Sequence, residues 1–530
     1  QNNPGRQIDG EYTTGHAGAF DIVKVFYSKN SGSGPWNWMS PSAWTHNPDH
    51  VNDDPVEGPV TTSPCATCPV VIGDGASINH TITINANNVG CGTLEINAGS
   101  TLDCGVRTGL NFGVNTTGRG TLRIASPNFP AGDFLDFLGT NGGTVEWYAV
   151  AGSPNSPSGE LTGSWTSYTN NNVNRGVNGG ATYNNVSASS TIGTGSGALF
   201  TVVFSTRTNI SSITVTSPGS GYSVGDRFTF NGNSFNTNGS GSATFEVTSA
   251  NISVMNGYVI PSTGASPQSL TLDTYYNLTI NPIAGKTIML PANNLTVYKN
   301  WVQQGAGNVT NNGARSLSIK GDMTISSGTF GLSSGNTDIT VAGNVSNSGV
   351  FTTTSSTHKL AVTGNLTNNG TVNFNNTGTV ALKFEGSTNV TFGGSGTGGT
   401  TLHTVEVNKG SSALPTVTFN TGGTVTTTAA TNGWLTLTNG TFDFANATTY
   451  TTSLSTNAYT IPSTAKLKVS GANVVVNTTS GDDDGYDLFL NGALEVAGGT
   501  VNVGNSTANT YNVDIEYVAA GTPSIIVSSG

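Results

Sequence analysis

Leu295-Thr296-Val297, Leu317-Ser318-Ile319, Ile339-Thr340-Val341, Leu360-Ala361-Val362 and Leu382-Lys383-Phe384 are one pattern written five times. Their first members are separated by 22, 22, 21 and 22 residues, a register that chance does not keep. Each triplet alternates apolar, small or polar, apolar, the period of two expected of a strand with one buried face. Three residues beyond the first four triplets come Asn300, Asp322, Asn344 and Asn365, each followed by an apolar residue: Trp301, Met323, Val345 and Leu366. A second column places Gly328, Gly349 and Gly370 at 21-residue steps, two residues ahead of Phe330, Phe351 and Val372. Glycine supplies the positive φ of a tight corner, and the apolar residue restarts a strand.

A period of 21 or 22 built only from strands and corners predicts an all-β chain folded as a right-handed parallel β-helix. Identical positions then stack at ~4.8 Å and form columns. The Leu and Val/Ile columns fill the interior. The Asn/Asp column is expected at a corner, its side chains hydrogen-bonding the coils above and below. The same grammar extends upstream through Leu94-Glu-Ile96, Leu102-Asp-Cys104, Leu122-Arg-Ile124 and Val145-Glu-Trp147. Downstream it continues through Leu435-Thr-Leu437, Phe442-Asp-Phe444, Leu467-Lys-Val469, Leu494-Glu-Val496 and Val501-Asn-Val503. About 18 coils would make a rod on the order of 85 Å long.

Composition points the same way. Of 530 residues, 71 are Gly and only 9% are charged, which excludes a helical protein. Ordered recurrence of Val, Ile, Leu and Phe excludes a disordered one. A net charge of −11 without a basic stripe argues against nucleic-acid partners, and no apolar run approaches the ~20 residues of a membrane span. A start at Gln1 without Met fits a removed leader, so a secreted, cell-surface setting is expected.

Two stretches depart from the repeat. Residues 188–258 echo Gly193-Thr-Gly-Ser-Gly-Ala-Leu-Phe200 in Asn238-Gly-Ser-Gly-Ser-Ala-Thr-Phe245, around Gly219-Ser-Gly-Tyr222-Ser-Val-Gly-Asp226. This segment resembles small β-modules of viral fibre and bacterial surface proteins and is expected as an inserted β-domain. Thr182-Tyr-Asn-Asn-Val186 and Thr274-Tyr-Tyr-Asn-Leu278, on either side, look like two versions of one solenoid strand. Residues 1–60 carry Trp36, Trp38 and Trp44 and read as an aromatic-rich cap, with stacking on a glycan as the alternative role for these rings. The expected order is therefore cap 1–60, solenoid 61–187, module 188–258 and solenoid 259–530, continuing in a longer parent chain.

Trp36 to Trp44, Pro69-Val-Val-Ile72 with Gly75, and Gly92-Thr-Leu-Glu-Ile96 through Leu102 resemble the start of G8-like β-helix regions in large exported proteins of Bacteroidota. Gly143-Thr-Val-Glu-Trp147, Tyr275-Tyr-Asn-Leu-Thr-Ile280 and Leu402-His-Thr-Val-Glu-Val-Asn408 are similar to strands recurring in those proteins. The resemblance implies type IX secretion and display as a surface adhesin, including gliding adhesins, with other cell-surface or secretion-system proteins as partners.

Candidate chemistry is sparse. Cys65, Cys68, Cys91 and Cys104 are disulfide candidates; Cys68 and Cys91 stand 23 apart, near one repeat, which favours a bond between adjacent turns. Asp482, Asp483, Asp484 and Asp487 offer hard oxygens for calcium in a Gly-containing loop, the only cofactor the sequence suggests; Asp49, His50, Asp53 and Asp54 are a weaker set. Polysaccharide-cleaving β-helices need acids and bases gathered on one face, and no strand by itself gathers them. The expectation is a non-enzymatic stalk or adhesin segment that presents binding surface to glycans or solid surfaces; the alternative is a polysaccharide lyase or hydrolase.

Overall fold

In the computed structural model the described residues are 24–29, 36–193, 195–219, 222–265, 270–333, 335–427, 433–456, 458–479, 487–503, 514–517 and 521–528. The chain divides into two compact units, residues 1–148 with 261–279, and residues 149–260 with 280–530. Turns of a parallel β-solenoid number about 17.

In the second unit the five triplets stack as the period requires. Leu317 pairs with Ile339, Ile339 with Leu360 and Leu360 with Leu382, all in parallel strands and all no more than 1% exposed. One column runs through Leu295–Val297, Arg315–Ile319, Thr337–Val341, Thr357–Val362, Thr379–Phe384 and Thr404–Asn408. A second runs through Trp301–Gln303, Met323–Ile325, Val345–Asn347, Leu366–Asn368 and Val390–Gly394. A third runs from Gly257–Val259 through Thr287–Met289, Asn308–Thr310, Thr329–Leu332 and Val350–Thr353 to Thr371–Asn373. Three short strands thus make one turn, and the buried residues of each fill the space between the sheets. Rings follow one another along it, Trp301 against Phe330 and Phe330 against Phe351 tilted, and Phe351 against Phe374 edge to face, with centroids 5.0 to 5.2 Å apart.

The corner ladder forms as read. Asn300 Oδ1 accepts the N–H of Asp322 at 3.2 Å, Asp322 Oδ1 that of Asn344 at 2.7 Å, Asn344 Oδ1 that of Asn365 at 2.9 Å, and Asn365 Oδ1 that of Thr391 at 2.8 Å. Every carboxamide here caps the backbone of the next turn. The spacing gives no sign of an interior polar column that the fold contains: Asn347 Nδ2 donates to Asn368 Oδ1 at 2.9 Å, and Asn368 Nδ2 to Thr400 Oγ1 at 2.9 Å, with both amides essentially unexposed.

Residues 157–254 of this unit form antiparallel sheets instead. One has the strand order Ser164–Trp165, Asn209–Ser217, Leu199–Thr206, Ala181–Ser187; another has Asn170–Asn171, Ser242–Glu246, Arg227–Asn231, Ser190–Ile192. Pro157–Leu161 pairs with Ile252–Val254. Their apolar faces enclose a separate core around Trp165, Phe200, Phe228, Phe230 and Phe245. The antiparallel region therefore begins at 157 and not at 188. Thr182–Val186, read above as a solenoid strand, pairs antiparallel with Leu199–Thr206. Alternation identifies a strand but not its partner, and Thr-Tyr-Asn-Asn-Val sits in a stretch with no 21-residue spacing to fix one.

In the first unit, Phe26–Ser28, Pro69–Ile72, Thr93–Ile96 and Thr116–Thr117 form one parallel column. Trp36–Asn37, Thr81–Thr83, Thr101–Asp103, Thr121–Ile124 and Thr144–Ala149 form another. Trp38 and Trp44 meet edge to face at 5.3 Å inside this unit, and Trp38 also packs on Phe112. At 0% and 1% exposure they are core residues and cannot stack on a glycan; Trp36 is half-buried on its strand.

Candidate binding surface

Each strand triplet turns its outer members inward and its middle member outward, and parallel register places successive middle members side by side. In the first unit this aligns Asp103, Arg123 and Glu146. Arg123 donates to Glu146 from Nε at 2.9 Å and to Asp103 from Nη1 at 3.1 Å, while the Tyr148 hydroxyl donates to Asp103 at 2.6 Å. The guanidinium also lies 4.3 Å from the Tyr148 ring centre. Burial, reinforced by the Asp103 carboxylate, pushes the Tyr148 phenol well above its usual range. In the second unit Asp443, Lys468 and Glu495 align. The Glu495 carboxyl is held below its ordinary value chiefly by the hydrogen bond from Lys466, 2.8 Å away. Both ladders are closed networks in which each acid faces a base. Strands separated in sequence collect acids and bases that no single strand does, and the signal was present in the middle letters of the triplets.

A third ladder is open. Asp338 lies beside Lys359, Lys359 beside Ala381, Ala361 beside Lys383, and Lys383 beside Glu406. Two adjacent turns thus carry alanine where their neighbours carry long side chains. The outer face sinks there into a trough of about 530 Å³, floored by Ala361 and Ala381 and rimmed by Asp338, Lys359, Lys383, Glu385 and Glu406. Lys383 Nζ is 3.1 Å from Glu385 and 3.7 Å from Glu406, and Thr438 Oγ1 donates to Glu406 at 3.1 Å. The hydrogen bond to Glu385 raises the Lys383 pKa, so the ammonium is retained at neutral pH. Lys359 and Asp338 are 3.9 Å apart and mostly exposed, a loose pair that a ligand can part at little cost. The trough therefore offers methyl groups below and, at the sides, two ammonium donors and three carboxylate acceptors, a small excess of negative charge.

The other candidates fall elsewhere. Asp482, Asp483 and Asp484 lie outside the described residues. Asp487 is 2% exposed and its carboxylate accepts the N–H of Asp514 at 3.0 Å. Asp49 and Asp54 cap the turns that follow them, and Asp53 pairs with Lys29. Among the described residues no group of three or more His, Cys, Asp or Glu side chains is placed to hold a metal ion. The expected Cys68–Cys91 bond is replaced by Cys65–Cys68, with Cys91 and Cys104 free and buried. The local step is 24 residues, since Pro69 pairs with Thr93, so Gly92 lies across from Cys68 and donates its N–H to the Cys68 carbonyl at 2.8 Å. No helix among the described residues is long and apolar enough to cross a membrane.

These features define a β-solenoid with a laterally open trough that is apolar over most of its lining and edged by charged side chains. No protein-family model, curated protein or solved structure matches the chain.

Proposed function

We propose that this chain is a non-catalytic segment of an exported cell-surface stalk or adhesin, and that it binds uncharged polysaccharide chains along its outer face. The trough at Ala361 and Ala381 is the observation that carries this reading. A sugar ring lays a C–H face on methyl groups and directs hydroxyls to flanking donors and acceptors, the set that Lys359, Lys383, Glu385 and Glu406 supply. One shallow site binds weakly; repetition along a solenoid or among many copies raises the avidity. The pairing of acids with bases in the other ladders favours binding over cleavage, because a general acid must hold its proton near neutral pH. Export of the type IX kind and cell-surface display belong to the same proposal and rest on the sequence resemblance.

The test is a glycan array and a surface-adhesion assay on the purified protein, beside Ala361→Trp and Lys383→Ala. Both variants change outward-facing strand positions and are expected to keep the fold while losing about tenfold in affinity, or 1.4 kcal/mol. Release of oligosaccharides from a bound polysaccharide would favour the lyase or hydrolase reading instead. Binding unchanged in both variants would show that the trough is not the binding site.

A further inference from the structure

Cys65 and Cys68 close one of the smallest loops a disulfide can close. Such a link takes little entropy from the unfolded chain, and both residues precede the same strand, Pro69–Ile72, so the bond fastens no turn to another. It is a poor staple. Its surroundings suit exchange chemistry better. Cys65 is exposed whereas Cys68 is 7% exposed, so Cys65 is the more accessible of the two to an incoming nucleophile. Both cysteines line a cavity of about 530 Å³, together with Lys24, Phe26, His46 and Glu57. Lys24 is paired with Glu57 at 2.7 Å, and His46 Nδ1 lies 2.8 Å from the Val25 carbonyl, so the wall beside the sulfurs carries fixed polar groups. The two other cysteines are 1% exposed and held as thiols, since burial raises their pKa well above the ordinary value.

We propose that Cys65–Cys68 is an exchange-competent disulfide that oxidises dithiols on cysteine-bearing peptides docked in this cavity. A thiolate of the peptide attacks Cys65 Sγ; the Cys65–Cys68 bond breaks and Cys68 leaves as a thiolate that takes a proton from solvent. The second peptide thiol, deprotonated, then attacks the peptide sulfur of the mixed disulfide and expels Cys65. The peptide is oxidised by two electrons to its disulfide, and the protein is left with two thiols. This inference is independent of the glycan reading.

The experiment incubates the native oxidised protein with reduced glutathione, and separately with a synthetic dithiol peptide, then alkylates and maps the cysteines by mass spectrometry while circular dichroism follows the fold. Cys65 and Cys68 should become alkylated with the fold intact, Cys91 and Cys104 should not, and the peptide should emerge as its disulfide. With oxidised glutathione, Cys68→Ser should form the mixed disulfide at Cys65 at least about tenfold faster than Cys65→Ser forms it at Cys68, with the buried thiols Cys91 and Cys104 unreacted in both. A disulfide that yields only when the protein unfolds, or capture at Cys68 as fast as at Cys65, would overturn the proposal.

Discussion

His358 illustrates how a single interior side chain ties stability to pH. Its Nδ1 accepts the N–H of Thr337 at 3.1 Å and its Nε2 lies 2.8 Å from the Ser355 carbonyl, so the ring must be neutral with its proton on Nε2. Protonating Nδ1 would set two hydrogens against each other. Burial accordingly lowers the His358 pKa from its ordinary 6.5, despite the opposing Ser355 hydrogen bond and Asp338 charge. The folded chain then binds fewer protons than the unfolded chain below pH 6.5, so stability is complete above that value and falls as the pH drops toward the lowered pKa. His80, in the first unit, is lowered in the same direction by burial and by His50. We expect the melting temperature to fall between pH 7.5 and pH 5, and His358→Gln to flatten part of that fall. An unchanged slope in the variant would show that other groups carry the pH dependence.

Strands and columns were legible because interior positions obey a spacing that the chain repeats. Leu317, Ile339 and Leu360 stack where steps of 22 and 21 residues put them, and the Asn300-to-Asn365 ladder forms because its members sit at one corner of successive turns. The trough was half-legible: Ala361 and Lys383 are middle letters of quoted triplets, but only the register reveals that alanine faces lysine twice. Where the step drifts, spacing misleads. One extra residue between Cys68 and its partner strand was enough to misassign the disulfide. The antiparallel segment lacked any period, so its first strands were counted with the solenoid. Since its core is drawn wholly from residues 161–252, that segment is expected to melt on its own account. Phe228→Ala should cost it about 3–5 kcal/mol and raise hydrogen exchange in 157–254. Exchange in the triplet strands 295–384 should stay as it was; acceleration in both regions would mean that they unfold together.

Across a whole unit, nearest-neighbour stacking makes stability a sum of similar increments, one per turn. That arrangement spreads function as well, since every turn contributes outward positions whose chemistry can change without touching the interior. The closed Asp103–Arg123–Glu146 network and the open Lys359–Lys383 trough are both built on parallel triplet strands, and their different outward residues give them different surfaces.

The parallel columns also decide how the second unit yields to force. Tension applied through the backbone reaches the outermost winding first and loads its hydrogen bonds in sequence, like a zip fastener, while deeper windings bear nothing until their turn comes. Each of the repeats, 22 residues at most between 295 and 382, would surrender roughly 75 Å of slack. An optical-tweezers trace of this region should therefore climb in even steps of about that contour length; one abrupt rip would deny it. A solenoid that lengthens in instalments dissipates a pull gradually instead of transmitting it whole.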